Sequence, residues 1–99
     1  MDAILYTSNT GFTAEYAHLL EEATGLPAMP LRAAGGLRPG ADIIYLGWLM
    51  AGRVQGLKKA EARYRVRAVC GVGMGATGSQ TDEVRQANAL EPERPLFVL

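Results

Sequence analysis

The chain has 99 residues, which is near the common size of one domain and long enough to bury a core without a disulfide or a metal site. Ten basic and ten acidic residues give a formal net charge of zero, which excludes a global attraction to nucleic acid or to an anionic membrane. The amino terminus lacks a signal-peptide pattern, and no stretch approaches the roughly 18 apolar residues of a membrane span. We therefore expect a soluble protein in a reducing, cytoplasmic setting, with its single cysteine, Cys70, buried as a small hydrophobe.

Short apolar runs of strand type alternate with helical patterns along the whole chain. Strands are predicted at residues 3–6, 27–31, 42–46, 66–72 and 95–99, and helices at residues 13–24, 54–64 and 82–90. Gly25 is placed to end the first helix and Thr81 to cap the last. Pro27 and Pro30 restrict the second strand to a sheet edge. This order predicts a single α/β domain over residues 1–99, with a parallel sheet and helices on its faces.

Three loops are predicted to follow strands of this sheet on its ligand-binding side. These three loops are residues 7–13, 47–52 and 73–80, which follow the first, third and fourth strands. A fourth predicted loop, residues 32–40, contains at most one helical turn and is not one of them. The carboxyl ends of parallel strands are where open α/β folds bind ligands.

The first of these loops, TSNTGFT, is rich in hydroxyl groups and contains no lysine or arginine. Main-chain amides and the positive end of the helix dipole make the start of the first helix an anion site without a charged side chain. The hydroxyls of Ser8, Thr10 and Thr13 add short donors, and Gly11 allows close approach of the backbone. Helix capping alone is the alternative reason for such a composition.

The spacing Ile4-Leu5-Tyr6-x-Ser8-x-x-Gly11-x-Thr13-x-x-x-Ala17-x-x-Leu20 resembles the phosphate-loop signature of the flavodoxin family, with every defined position filled. The resemblance implies a flavodoxin-like open parallel five-stranded sheet in the order 2-1-3-4-5, with helices on both faces. It also implies that the first loop binds the phosphate of FMN and that the two later loops hold the isoalloxazine ring. The implied FMN-binding residues are Thr7, Ser8, Asn9, Thr10, Gly11, Phe12, Thr13, Gly47, Trp48, Leu49, Met50, Ala51, Gly52, Gly73, Met74, Gly75 and Gly78.

Electron transfer with an unidentified redox partner protein is the function that this resemblance implies. An FMN-dependent reductase or oxidase is one alternative, and a truncated interaction or assembly module that no longer binds flavin is another. Trp48 is predicted either to stack on the flavin or to pack under its own loop. The glycines from Gly73 to Gly78 also match a dinucleotide-binding pattern, but only 21 residues follow them, too few for a second half of that fold.

Catalytic and metal-binding patterns are not evident in the sequence. A basic segment is predicted to be either a solvated flank or a docking surface for an acidic redox partner, and it contains Arg53, Lys58, Lys59, Arg63, Arg65 and Arg67.

The flavodoxin fold ends with a helix that packs beside the first helix, and this chain ends at its last predicted strand. We therefore expect that the final helix is absent and that one face of the sheet is uncovered. The exposed side chains are expected to come from Ile43 and Tyr45, or from Ile44 and Leu46, together with Val69 and Phe97. A homodimer through this face is the expected consequence.

Overall fold

The structure is a computed structural model that describes residues 1–8, 11–50, 53–73 and 81–98. Within these residues the helices are α1 (Phe12–Thr24), α2 (Leu57–Arg63) and α3 (Thr81–Ala87), and a 3-10 turn covers Leu31–Ala33. The strands are β1 (Ala3–Thr7), β2 (Ala28–Pro30), β3 (Asp42–Met50), β4 (Arg53–Val54), β5 (Arg65–Val72) and β6 (Leu96–Val98).

The strands form one mostly parallel sheet in the order β2-β1-β3-β5-β6, and the short β4 pairs antiparallel with β3. The predicted α/β architecture is therefore confirmed. Strand β2 lies at an edge of the sheet, as Pro27 and Pro30 predict. The described sheet contains one strand that the sequence does not predict, β4. Its second residue, Val54, is the predicted start of a helix.

Helices cover both faces of the sheet, as predicted. Helix α1 packs through Ala17 on one face, against Ile4, Tyr6, Leu46, Cys70 and Val72. Helices α2 and α3 cover the opposite face through Leu57, Ala60 and Val84, which pack against Leu5, Ile43, Tyr45 and Val69. Strand β3 is buried on both sides because it is central, and this explains its nearly continuous apolar sequence.

The prediction of a loop at residues 47–52 is wrong for its first four residues. Residues Gly47 to Met50 continue β3, and Leu49 and Met50 pair with Val54 and Arg53 of β4. A Cβ atom on Gly47 would lie 2.5 Å from the carbonyl oxygen of Gln55, so the glycine allows the returning chain to approach closely. The predicted helix at residues 54–64 consequently begins only at Leu57.

The observed end of α1 agrees with the prediction from the sequence, whereas both ends of α3 differ from it. Gly25 ends α1 with a φ of 75° and donates its N–H to the Glu21 carbonyl over 2.9 Å. Helix α3 includes Thr81, the predicted cap, and ends at Ala87 rather than Leu90. Ala89 there adopts a φ of 53°, and the N–H of Leu90 reaches back to the Arg85 carbonyl over 3.0 Å.

The expected uncovered sheet face is only partly present. Ile43, Tyr45, Leu46 and Val69 are fully buried, so the prediction that such side chains are exposed is wrong, and Phe97 alone of the named set is largely exposed, at 60%. The reason is that helices on the two faces cover β3 and the adjoining part of β5.

Exposed apolar residues lie instead along one flank of α1. The carboxylate of Glu21 accepts the N–H of Ala28 in β2 over 2.9 Å, so that flank of the helix faces the β2 edge. Helical spacing places Phe12, Tyr16 and Leu19 on the flank opposite Glu21. We call these three residues the apolar stripe; they are 54%, 38% and 60% exposed.

Candidate functional site

The three predicted binding segments meet at the carboxyl edge of the sheet. Thr7, the last residue of β1, pairs with Gly47, and Gly47 pairs with Gly71 of β5. Ser8 follows β1 directly and Gly73 follows β5 directly. The parallel register therefore brings together segments that are about forty and sixty-five residues apart in the chain.

The segment between β1 and α1 forms an open start to the helix. Gly11 is the N-cap residue, with a φ of 95°, and a Cβ atom there would meet nothing within 4 Å. The hydroxyl oxygen of Ser8 accepts the N–H of Gly11 over 3.0 Å, so its own proton can be donated elsewhere. The amides of Phe12, Thr13 and Ala14 follow in the first turn, where main-chain N–H groups have no partner within a helix.

The other predicted residues of this segment differ in their position. The side chain of Thr13 is buried, with 2% exposure, and that of Phe12 is 54% exposed as part of the apolar stripe. Asn9 and Thr10 lie outside the described residues.

A pocket of about 320 Å³ opens beside this segment. Its walls come from the end of β1, the start of α1 and the turn after β2: Tyr6, Thr7, Ser8, Gly11, Ala14, Pro30, Leu31 and Arg32. We call it the loop pocket. The first loop contains no cation of its own, but the fold adds Arg32 from the 3-10 turn. The pairing of Tyr6 with Pro30 brings that turn to the same edge of the sheet.

Two linked hydrogen bonds hold the side-chain hydroxyl of Thr7 in place. The hydroxyl of Tyr45 donates to the carbonyl of Gln55 over 2.7 Å, and it lies 2.6 Å from Thr7 Oγ1. Because tyrosine has a single hydroxyl proton, Thr7 donates to Tyr45 in this chain. Burial raises the pKa of Tyr45 to about 12, so the phenol stays protonated at neutral pH.

The described part of the second predicted segment, Gly47 to Met50, belongs to β3 and is not a loop. Trp48 is half-buried and pairs with Val72, and Met50 is 54% exposed. Leu49 packs closely on Gly71 of β5 and on Gly73, which follows β5: a Cβ atom on Gly71 would lie 2.9 Å from the Leu49 side chain, and one on Gly73 would lie 3.1 Å from it. Ala51, Gly52, Met74, Gly75 and Gly78 lie outside the described residues.

A larger cavity of about 820 Å³ lies between the 3-10 turn, β4 and α2. The sequence predicts its cationic lining only in part, because nothing local places Arg32 near the basic segment. The cations are Arg32, Arg53, Lys58, Lys59 and Arg63, and we call this cavity the basic groove. Thr7, Leu31 and Arg32 line both the loop pocket and the basic groove.

Comparison of the chain with protein-family models, curated proteins and solved structures gave no match. Its function is therefore inferred from the chemistry of the site.

The described residues contain no cluster of three histidine, cysteine or acidic side chains that could hold a metal ion. Cys70 is buried, as expected, and burial raises the pKa of its thiol to about 11, which disfavours the thiolate at neutral pH. No helix in the described part of the chain is long and apolar enough to cross a membrane. The arrangement suits an anion at the α1 start, next to a second, more basic cavity.

Proposed function

We propose that this protein binds FMN in a flavodoxin-like manner and acts in electron transfer. The order of the parallel strands supports the fold part of this proposal. If the antiparallel β4 is set aside, the order β2-β1-β3-β5-β6 becomes 2-1-3-4-5 in chain order. The resemblance of the first loop implies the same order.

The proposal rests mainly on one observation: the residues that match the flavodoxin phosphate-loop spacing lie in a strand, a loop and a helix start, as a phosphate loop requires. The spaced residues from Ile4 to Leu20 span a buried strand, a loop and a helix that starts at the carboxyl edge of the sheet. The space around Gly11 is open to a ligand. The hydroxyl group of Ser8 and the main-chain amides of the first turn of α1 are hydrogen-bond donors of the kind that hold a phosphate. The loop pocket, at about 320 Å³, falls in the range of roughly 300–1,000 Å³ that is typical of ligand sites.

The phosphate would be held by Ser8, Gly11 and the amides at the start of α1, and the ring would lie toward Trp48 and Gly73. FMN would supply the redox chemistry. The protein would orient the cofactor, and the β3–β4 strand pair would fix the position of its ring. Whether the reduced cofactor serves a partner protein or a small substrate separates an electron carrier from a reductase or oxidase.

Titration with FMN, followed by the flavin absorbance bands, tests the proposal. We expect binding of FMN that is stronger than binding of riboflavin, because riboflavin lacks the phosphate. The double variant Ser8→Ala/Thr10→Ala should lose tenfold or more in FMN affinity, since a hydrogen bond to a charged group contributes roughly 1.5–3 kcal/mol. Its affinity for riboflavin should change little.

The matched control is Thr24→Ala, which removes a hydroxyl at the opposite end of the same helix, where it donates to the Leu20 carbonyl over 2.6 Å. This control should retain the affinity for FMN. The proposal fails if FMN does not bind, or if the double variant binds FMN as well as the unchanged protein does.

The apolar stripe favours a second candidate function, in which the protein is an interaction module that forms a homodimer. Phe12, Tyr16 and Leu19 lie on one flank of α1, and Phe97 of β6 is also exposed. Such a surface is typical of an interface with another protein. The interaction module and the flavoprotein differ in the FMN titration.

Sedimentation at micromolar concentration tests the homodimer. We expect Tyr16→Lys/Leu19→Lys to be a monomer, because the two lysines would be buried without partners in the interface. Met50→Lys changes another exposed apolar residue, outside the stripe, and should leave the dimer intact. A monomeric unchanged protein would exclude this candidate.

A further inference from the structure

The basic groove concentrates positive charge in a chain whose formal net charge is zero. The ammonium nitrogen of Lys58 lies 3.7 Å from the carboxylate of Glu61. Among the described residues, no carboxylate lies within ion-pair distance of Arg32, Arg53, Lys59 or Arg63. By contrast Arg38, Arg65 and Arg94, which lie outside the groove, are each paired with an acidic side chain.

The cations come from separate elements that face one cavity. Arg32 belongs to the 3-10 turn, Arg53 to β4, and Lys58, Lys59 and Arg63 to α2. A solvated helix face would explain the α2 residues alone. It does not explain why Arg32, more than twenty residues earlier in the chain, contributes to the same groove.

The remaining lining is largely apolar and aromatic. It includes half-buried Trp48, buried Val54 and buried Tyr64, whose hydroxyl donates to the Ala34 carbonyl over 3.0 Å. With a volume of about 820 Å³, the groove falls in the size range of sites for whole small molecules. A concave cavity with an apolar lining and several cations fits a compact ligand better than the flat acidic surface of a protein.

We propose that the basic groove binds a small molecule that carries at least two phosphate groups on an aromatic body, such as a nucleoside diphosphate. The phosphates pair with the cations from α2 and with Arg32, and the aromatic body contacts the apolar lining of the groove. The groove borders the loop pocket at Thr7, Leu31 and Arg32, but its phosphate-binding cations from α2 are not part of the phosphate site at the start of α1, so the binding of this ligand does not require FMN.

Titration of the full chain with ADP tests the site, with the fluorescence of Trp48 as the signal because this is the only tryptophan. We expect ADP to bind more tightly than adenosine, which lacks phosphates, and more tightly than pyrophosphate, which lacks the aromatic body. Lys59→Gln/Arg63→Gln should weaken ADP binding at least tenfold, because two charged contacts are lost.

The matched control is Arg65→Gln/Arg67→Gln, which removes the same charge from β5, outside the groove, and should change ADP affinity less than twofold. Urea unfolding of both variants checks that they are folded. Equal losses in the two variants would show attraction to bulk charge and would overturn the proposal, as would a complete lack of ADP binding. Equal affinity for pyrophosphate and ADP would refute the role of the apolar lining.

Two further measurements distinguish a separate nucleotide site from part of the flavin site and from a protein-docking surface. Displacement of ADP by FMN, with both affinities lowered by Lys59→Gln/Arg63→Gln, would show that the groove belongs to the flavin site. Tighter binding of polyglutamate than of ADP would favour an acidic protein partner. Either result would overturn the proposal. ADP binding that is unaffected by Ser8→Ala/Thr10→Ala supports it, whether or not FMN binds.

Discussion

Replacing Gly56 with alanine should destabilise the protein far more than an ordinary glycine substitution. Gly56 precedes α2 and has a φ of 83°, a conformation that costs alanine about 1 kcal/mol. A Cβ atom there would overlap the hydroxyl oxygen of Tyr45 and would lie 2.7 Å from Thr7 Oγ1. The new methyl group must therefore break up the hydrogen-bond chain from Thr7 through Tyr45 to the Gln55 carbonyl.

The expected cost follows from these contacts. The two hydrogen bonds contribute about 1 kcal/mol each, and displacing buried Tyr45 adds a similar amount of packing strain. With the backbone term, the free energy of unfolding should fall by about 3–4 kcal/mol, a large part of the roughly 5–15 kcal/mol that is typical of a domain.

Urea unfolding, monitored by the fluorescence of Trp48, measures this loss. Gly25→Ala is the control, because Gly25 has a φ of 75° but open space around its Cβ position, so only the backbone term of about 1 kcal/mol applies. In a Tyr45→Phe background the cost of Gly56→Ala should become smaller, since the nearest overlapping atom is gone. Equal losses for Gly56→Ala and Gly25→Ala would refute this reasoning.

Three further predictions concern buried or paired groups. Cys70, with its pKa raised to about 11 by burial, should react with a thiol reagent at pH 8 only after unfolding; fast labelling of the folded protein would contradict this. Asn88 accepts the N–H of Val54 over 3.0 Å, so Asn88→Ala should cost roughly 1–3 kcal/mol in urea unfolding, whereas exposed Gln86→Ala should cost little. The hydrogen bond from the N–H of Ala28 lowers the pKa of Glu21 below 4.5, and His18 adds a smaller lowering. The charge of Glu21 therefore stabilises the fold above pH 4.5, and this stabilisation is lost as the pH falls through the lowered pKa of the folded state. The stability difference between the unchanged protein and Glu21→Gln should shrink over that range; a constant difference would argue against it.

The sequence is sufficient for the elements whose signals are local. The buried run of β1, the period of α1 and the glycine that ends α1 each depend on nearby residues. The edge position of β2 follows from its prolines. In these cases local preference and the final fold agree, as expected of a foldable sequence.

The extension of β3 escapes prediction because it depends on a tertiary contact. Gly47 resembles the start of a loop, but its lack of a side chain is what admits the Gln55 carbonyl. Trp48, Leu49 and Met50 are ordinary strand residues, and they are the available signal. Arg32 escapes prediction at the candidate site for a related reason: only the pairing of β1 with β2 brings the 3-10 turn to the first loop.

The direction of the hydrogen bond from Thr7 has a consequence for anion selection. The proton of Thr7 is already donated to Tyr45, so its oxygen can offer only lone pairs to a ligand in the loop pocket. Lone pairs repel a phosphate oxygen and attract a donor. Thr7 is thus suited to the hydroxyl groups of a ligand, and the hydroxyl of Ser8 and the amides of α1 are suited to its charge. Two neighbouring residues with nearly the same side-chain chemistry would recognise opposite hydrogen-bonding partners.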